Sequence, residues 1–292
     1  MKKQDFVGKL MAWYRKNGRH TLPWRHTHDP YHILVSEIML QQTQVGRVVP
    51  KYHTFIKQFP TLKKLARASG ASVLRAWQGM GFNRRALFLK KCAEACVKEH
   101  YGKIPDTYES LHKLSGIGDY TARAVLSFAF KKHVALQDTN IRRIFSRVYF
   151  GKNPSAVAEE RISSLISRDL PHHDTALYHG ALMDFGSIVC RPKPLCSVCP
   201  MQKFCKAAPK VLAQGWQVLE GRVVRHPQSK FEGSDRKIRG RIVDLLREKE
   251  RTDINMLISG IQEPKTRVKK ILRTLLRDGL ITKKGSFYQL PA

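Results

Sequence analysis

Apolar residues recur at helical spacing through most of this 292-residue chain, and almost nowhere with the strict alternation of a half-buried strand. Phe6, Leu10, Met11 and Trp13-Tyr14 predict a first amphipathic helix that stops near Gly18. Asp29-Pro30 opens the next, with proline at the first helical position, where its missing N–H costs nothing. The spacing of Ile33, Leu34, Ile38, Leu40 and Val45 carries this helix through YHILVSEIMLQQTQVGRVV with one buried face. Two short helices are predicted within 59–81, and Gly79-Met-Gly81-Phe82-Asn83-Arg-Arg85 turns into a long one reaching His100. Asp106 and Glu109 read as a capping box that starts another helix. After Leu111 and Leu114, the run Leu114-Ser-Gly116-Ile-Gly118-Asp119 breaks it, and the chain is helical again from Tyr120 to Phe130. Three more helices are expected, from Asp138 to about Gly151 and over 156–168 and 174–189. With no strand predicted before residue 210, the first two thirds read as all-α.

The pattern changes after Cys205. Residues 207–234 carry scattered Pro, Gly and charge and read as a linker with one strand at 216–224. From Asp235 a compact unit follows. Ile238, Ile242, Leu245 and Leu246 mark one helix, and a second runs from Asp253 to Ile261. A third starts at Pro264 and ends at Gly279, ahead of a hairpin at 280–290. Three helices and a hairpin predict a winged helix-turn-helix over 235–292. Lys265, Arg267, Lys269 and Lys270 then lie on the recognition helix. The alternative is a small protein-docking domain with solvated charges.

Charge narrows the class of partner. The chain has 53 Lys+Arg against 23 Asp+Glu, a formal net charge of +30. Such an excess favours a polyanion by counterion release, without saying which one; ribosome-associated proteins look similar. No apolar run approaches the roughly 20 residues that span a bilayer. The N-terminus interleaves charge too closely for a signal peptide. A cytoplasmic, nucleoid-associated monomer is expected, whose cysteines are metal ligands or free thiols rather than disulfides.

Several stretches carry chemistry. A Gly-x-Gly hairpin between two short helices presents backbone N–H groups to an anion, and Gly116 and Gly118 let a phosphate approach. An ordinary αα-turn is the bland alternative. Downstream, LQDTNIRR places Asp138 at a helix start, followed by two arginines. Glu37 lies among apolar residues, where burial raises a carboxyl's pKa, unless it faces solvent or pairs with a base. Gln41, Gln42 and Thr43 offer uncharged polar groups able to read or replace base edges. Trp24 and Arg25, beside Pro23, form a loop able to stack on a base, although a core Trp is the commoner case. Cys92 and Cys96 sit one turn apart with no second ligand pair and read as packing. Cys190, Cys196, Cys199 and Cys205 place one Cys-x2-Cys pair between two outlying cysteines. That suits a [4Fe–4S] cluster better than the paired knuckles of structural zinc.

LPWR, SEIMLQQTQV, LSGIGDYTARAVL, the acid of LQDTNIRR, ALMDFGSIVC and the four-cysteine loop occur in that order. Together they resemble the helix-hairpin-helix DNA glycosylases with an iron–sulfur cluster, and SEIMLQQTQV resembles the MutY-type adenine glycosylase branch. The resemblance covers about residues 5–206 and implies two helical subdomains plus the cluster loop at 190–205. It implies that Glu37 protonates the base and Asp138 stabilises the oxocarbenium-like sugar, with Asn140 and Tyr120 in support. Gln42 and Phe82 match groups inserted into the base stack, and Gly116 and Gly118 match the phosphate-holding hairpin, commonly with a monovalent cation. The partner implied is double-stranded DNA with mismatched or damaged pairs.

Endonuclease III-type lyases carry Lys at the Tyr120 position, so base removal without efficient strand cleavage is expected. The chain departs from the family in four respects. Gly180 stands where a Glu or Gln meets the adenine edge, and Phe82-Asn83 replaces the usual Tyr-Tyr. The first cysteine spacing is one residue short, and the chain is too short for the Nudix-like domain that recognises 8-oxoguanine. The expected activity is excision of adenine mispaired with guanine or 8-oxoguanine. Alternatives are a T/U·G mismatch glycosylase and a non-catalytic DNA-binding protein on the same scaffold.

Overall fold

The computed structural model describes residues 3–219 and 230–292. Its helices run α1 (Lys3–Asn17), α2 (Pro30–Leu40), α3 (Val45–Gln58), α4 (Leu62–Arg67), α5 (Gly70–Ala76), α6 (Arg84–Glu99) and α7 (Tyr108–His112). After the Gly-x-Gly turn come α8 (Asp119–Phe128), α9 (Thr139–Phe145), α10 (Glu159–Arg168), α11 (Thr175–Ile188) and α12 (Ala208–Gln214). The C-terminal region holds α13 (Asp235–Glu248), β1 (Thr252–Asp253), α14 (Ile254–Ile261), α15 (Lys265–Arg277), β2 (Thr282–Lys284) and β3 (Phe287–Gln289). Among the described residues there is no strand before Thr252. None of the described helices is long and apolar enough to cross a membrane.

The chain forms two compact units, neither continuous in sequence: residues 1–30 with 118–225, and residues 31–117 with 226–292. In the first, α1 lays Phe6 and Leu10 into a core with Phe145, Tyr178, Leu182 and Phe185. The Phe6 and Phe145 rings meet edge to face at 5.6 Å. In the second, Phe55 packs on Trp77 at 5.8 Å, and Leu34, Leu65 and Leu74 are fully buried.

The C-terminal residues of the second unit follow the helix, strand, helix, helix, hairpin order of a winged helix. Asp253 caps α14 through the N–H groups of Asn255 and Met256. The hairpin strand β3 pairs antiparallel with both β2 and β1, in the order β1-β3-β2. The α15 helix buries Val268, Ile271, Leu272 and Leu275 and turns Lys265, Lys269 and Lys270 outward.

Three expectations change. The helix expected to run from Pro30 to 49 ends at Leu40, because Gln42 takes a left-handed backbone (φ +54°). Residues 41–44 form a turn before α3. The helix start expected at Asp106 moves one residue, since Thr107 is the cap and accepts from Ser110 N. The strand expected at 216–224 is a 3-10 turn over Trp216–Leu219, its remainder lying outside the described residues. A short apolar run has no period long enough to separate the two. Leu219 is buried against Ala207 and Val211, and α12 stands within the stretch read as linker.

Candidate active site

In the first unit the chain enters α9 through Leu136, whose N–H donates to His179 Nε2 at 3.3 Å. The imidazole therefore carries its proton on Nδ1, directed at Ser127 Oγ 3.0 Å away. Burial, with His133 nearby, lowers the His179 pKa to about 3, so the ring is neutral. Asp138 caps α9: Oδ1 accepts from Ile141 N at 2.6 Å and Oδ2 from Asn140 Nδ2 at 2.9 Å. Burial raises the Asp138 pKa, and these donors, with the charge of Arg143, pull only part of the way back. The result is a desolvated carboxylate with fixed donors on both oxygens.

Asn140 is fixed in turn. Its Oδ1 accepts from Arg143 Nη2, which also donates to Gly186 O at 2.8 Å. Gly186 is required at this approach, since a Cβ there would lie 2.6 Å from Asn140 Cβ. Tyr120 Oη donates to Met183 Sδ at 3.8 Å. The LPWR loop serves the framework rather than offering its groups outward. Trp24 is buried, and Arg25 makes two 2.9 Å bonds to the buried Asp184 and one to the Tyr14 hydroxyl. Arg19 also donates to Asp184, from both N and Nε at 2.8 Å. Gly180 leaves room here: a Cβ would sit 3.3 Å from Tyr14 Oη and 3.6 Å from Arg25 Cζ.

In the second unit Glu37 is buried, 7% exposed, on α2, where Tyr31 and Ile33 through Met39 are all buried. The turn after α2 leaves carbonyls without helical partners. Arg85 takes them. Its Nη1 donates to Ile38 O at 2.9 Å, Met39 O at 3.1 Å and Gln41 O. Its Nη2 donates to Thr43 Oγ1 at 3.0 Å, Met80 O at 3.2 Å and Gly81 O at 3.3 Å. One guanidinium thus holds both the Gln41–Thr43 turn and the Gly79–Phe82 turn, with burial lowering its pKa to about 10. Gln42 is exposed, and Phe82 is 56% exposed on a left-handed backbone (φ +46°), its ring 5.3 Å from the guanidinium of Arg85. At the hairpin, Gly116 adopts φ +80°, and a Cβ would lie 2.8 Å from Phe88 Cβ. Gly118 caps α8 with an extended backbone and open space at its Cα.

The four cysteines of 190–205 are free thiols lining one cavity, walled by Val148, Phe185, Val189 and Leu219. Among the described residues no three His, Cys, Asp or Glu converge as a single ion requires. An apolar cavity with four sulfurs on its wall is a lining able to hold a metal group. Burial raises all four thiols, Cys199 to about 12 and Cys205 to about 11. Backbone N–H of Met201 points at Cys199, and those of Ala207 and Ala208 at Cys205. Such N–H to sulfur bonds stabilise thiolate ligands. Buried Arg147 secures the loop through Arg191 O at 2.7 Å, Pro192 O at 2.9 Å and Cys190 Sγ at 3.9 Å.

On α15, Lys265, Lys269 and Lys270 are exposed, whereas Arg267 is paired with Asp235, Glu263 and Gly233 O. Inspection of the sequence alone passes over Arg85, Arg147, His179 and Asp184. The available signal is a charged or imidazole side chain inside an apolar run, which burial obliges to find partners.

Comparison with known proteins agrees with this architecture. The model of the HhH-GPD superfamily of base excision DNA repair proteins matches residues 35–168. An adenine DNA glycosylase of Mycobacterium tuberculosis is 37% identical over 94% of this chain and 89% of its own length. That match necessarily extends into residues 235–292. The human adenine DNA glycosylase is 36% identical over 70% of this chain and 40% of its own. A thermostable thymine-DNA glycosylase structure superposes with TM-score 0.66 and 31% identity over 71% of this chain and 97% of that one. An endonuclease III structure shares the fold at TM-score 0.64 and 19% identity, over 73% of this chain and all of that one. The chain belongs to the HhH-GPD superfamily of base excision DNA repair proteins, alongside the MutY-type adenine DNA glycosylases.

Proposed function

We propose that the protein is a monofunctional DNA glycosylase that hydrolyses the N-glycosidic bond of adenine mispaired with guanine or 8-oxoguanine, acting on nucleoid DNA in the cytoplasm. The observation that carries this reading is the Asp138 carboxylate, capped and desolvated, in a chain 37% identical to an adenine DNA glycosylase. Adenine is a poor leaving group until N7 is protonated, and Glu37 is the acid that supplies the proton. Positive charge then develops on the deoxyribose. Asp138 faces it as an anion already oriented by Ile141 N and Asn140, and so needs no reorganisation. The target base must first leave the stack. Gln42 and Phe82, exposed on turns held by Arg85, fill the space it vacates. With Tyr120 in place of a lysine no Schiff base forms, and the product is an abasic site.

Cys190, Cys196, Cys199 and Cys205 would hold a [4Fe–4S] cluster, whose iron supplies the positive charge that keeps four buried thiolates ionised. The Gly116–Gly118 hairpin takes phosphate, with a monovalent cation. Lys265, Lys269 and Lys270 on α15 touch the backbone of flanking duplex, which adds affinity rather than sequence. A second reading, T/U·G mismatch excision, is favoured by the 31% identity to a thymine-DNA glycosylase and by Gly180, which brings no side chain to the adenine edge. The test is release of free base from duplexes carrying A·G, A·8-oxoguanine, T·G or U·G. Adenine release alone supports the first reading, thymine or uracil release replaces it with the second, and no release from any duplex removes both.

A further inference from the structure

The C-terminal domain is fastened to the helical part of its own unit at three places. At the N-terminal end of α5, Gly70 N donates to Ala292 O at 3.1 Å and Ala71 N to Pro291 O at 2.6 Å. A side chain at Gly70 would collide with Pro291, its Cβ lying 2.7 Å from Pro291 Cγ. Beside the candidate wedge turn, Arg84 Nη1 lies 3.7 Å from Asp278 Oδ1, while Arg239 Nη2 holds the other oxygen at 2.6 Å. Between these two places stands Arg247.

Arg247, on α13, has a side chain only 5% exposed. Its Nε donates to Leu74 O at 3.0 Å, its Nη2 to Asn83 Oδ1 at 2.8 Å and its Nη1 to Asp244. Its own carbonyl accepts from Arg75 Nε at 3.2 Å. Asn83 is the first residue after Phe82 and stands at the N-cap of α6. An asparagine there ordinarily caps its own helix. Here it makes no such bond, and its oxygen is spent on a residue 164 positions away.

The backbone around it gains nothing from regular structure, since Gly79, Gly81 and Phe82 all take positive φ. The turn is held at its base by Arg85, within the helical part. Past its exposed ring it is held by Arg247 and Asp278, from the C-terminal domain.

We propose that Arg247 is a positioning residue for base extrusion: through Asn83 it sets the angle at which Phe82 is presented to DNA. The C-terminal domain thereby acts on the excision step as well as on affinity. This rests on the glycosylase reading above.

The experiment uses the full chain and its Arg247→Lys, Asn83→Ala and doubly substituted variants. Lysine keeps the charge beside Asp244 but cannot bridge Leu74 O and Asn83 Oδ1 together. Asn83→Ala leaves every docking bond except the one from Arg247 to the turn. Three quantities are read on an A·G duplex with 2-aminopurine beside the target adenine: the fluorescence rise on extrusion, the single-turnover release of adenine, and the salt dependence of binding.

The expected result is a roughly tenfold slowing of extrusion and release in each single variant, the size of one missing charge-assisted bond. The double variant should be no slower than either, because both act through the same hydrogen bond. The slope of affinity against salt should not change. Additive losses, or wild-type extrusion in Asn83→Ala, would overturn the proposal and leave Arg247 as a docking residue only. If the wild-type chain extrudes but releases no adenine, the substrate assignment fails and the fluorescence arm still decides the role of Arg247. If the wild type extrudes nothing, both fail.

Discussion

Arg143 joins the side chain that holds the Asp138 carboxylate to the cysteine loop. Its Nε donates to Cys190 O at 2.7 Å while its Nη2 donates to Asn140 Oδ1, the side chain that holds Asp138. A distortion of the loop at Cys190 therefore reaches the carboxylate through two side chains, Arg143 and Asn140. Arg143→Gln should lower single-turnover excision roughly tenfold to a hundredfold, the usual cost of losing an outer-shell partner. Affinity for an uncleavable mismatched duplex should stay within a few-fold. Equal losses in both measurements would confine Arg143 to folding.

In the proposed mechanism the two carboxyl groups divide the chemistry. Glu37→Gln and Asp138→Asn should each abolish adenine release with mismatch binding retained. Near-normal release by either variant would take that residue out of the mechanism. Asp138 also has a signature in pH. Its folded pKa is raised, so the native state holds a proton that the unfolded chain has already lost, and its ionisation costs stability as pH rises through that range. Excision needs the anion, so the acid limb of the rate should lie above the ordinary carboxylate range and move with Asn140→Ala. Asp138→Asn should cost no stability at neutral pH, a point that thermal melting settles.

His179 makes the opposite contribution. With a folded pKa of about 3, it stays neutral where an unfolded histidine, near 6.5, takes a proton. Stability should therefore fall as pH drops from about 6.5 toward 3. His179→Gln should flatten that part of a urea-denaturation profile. A wild-type midpoint constant from pH 7 to pH 4 would show that the ring is not held neutral.

Purified protein should be brown and carry about four irons per chain. Cys190→Ser should lose iron and bleach together. Stoichiometric zinc without iron in anaerobically prepared protein would refute the cluster.

Lys269→Gln and Lys270→Gln together should flatten the dependence of log affinity on log salt by about two, roughly one for each phosphate no longer neutralised. Single-turnover release at saturation should not change. An unaltered slope would take this face of α15 off the DNA.

The helices were legible because each carries its own period. Phe6 and Leu10, or Val268, Ile271, Leu272 and Leu275, mark a buried stripe without reference to anything distant. Asp138 was legible as a cap for the same reason, its partner Ile141 lying three residues on. What escaped depends on partners far along the chain. Arg85 meets α2 more than 40 positions away, and Asp184 meets Arg19 at a separation of 165. Neither leaves a local pattern. The LPWR loop shows the limit from the other side, since ring and guanidinium suggest a stacking platform until Asp184 claims Arg25.

The interleaving of the two units has a consequence for synthesis. The α1 helix leaves the ribosome before the α11 residues that Arg19 and Phe6 wait for, which follow some 165 positions later. At about 5–20 residues per second, that is roughly ten to thirty seconds during which Phe6 and Leu10 lack the α11 side of their core. Residues 31–117 are complete in the meantime and can collapse around Phe55 and Trp77. The α1 segment thus finds its place late, and substitutions that make α1 more apolar should show first in yield from cells and only afterwards in activity.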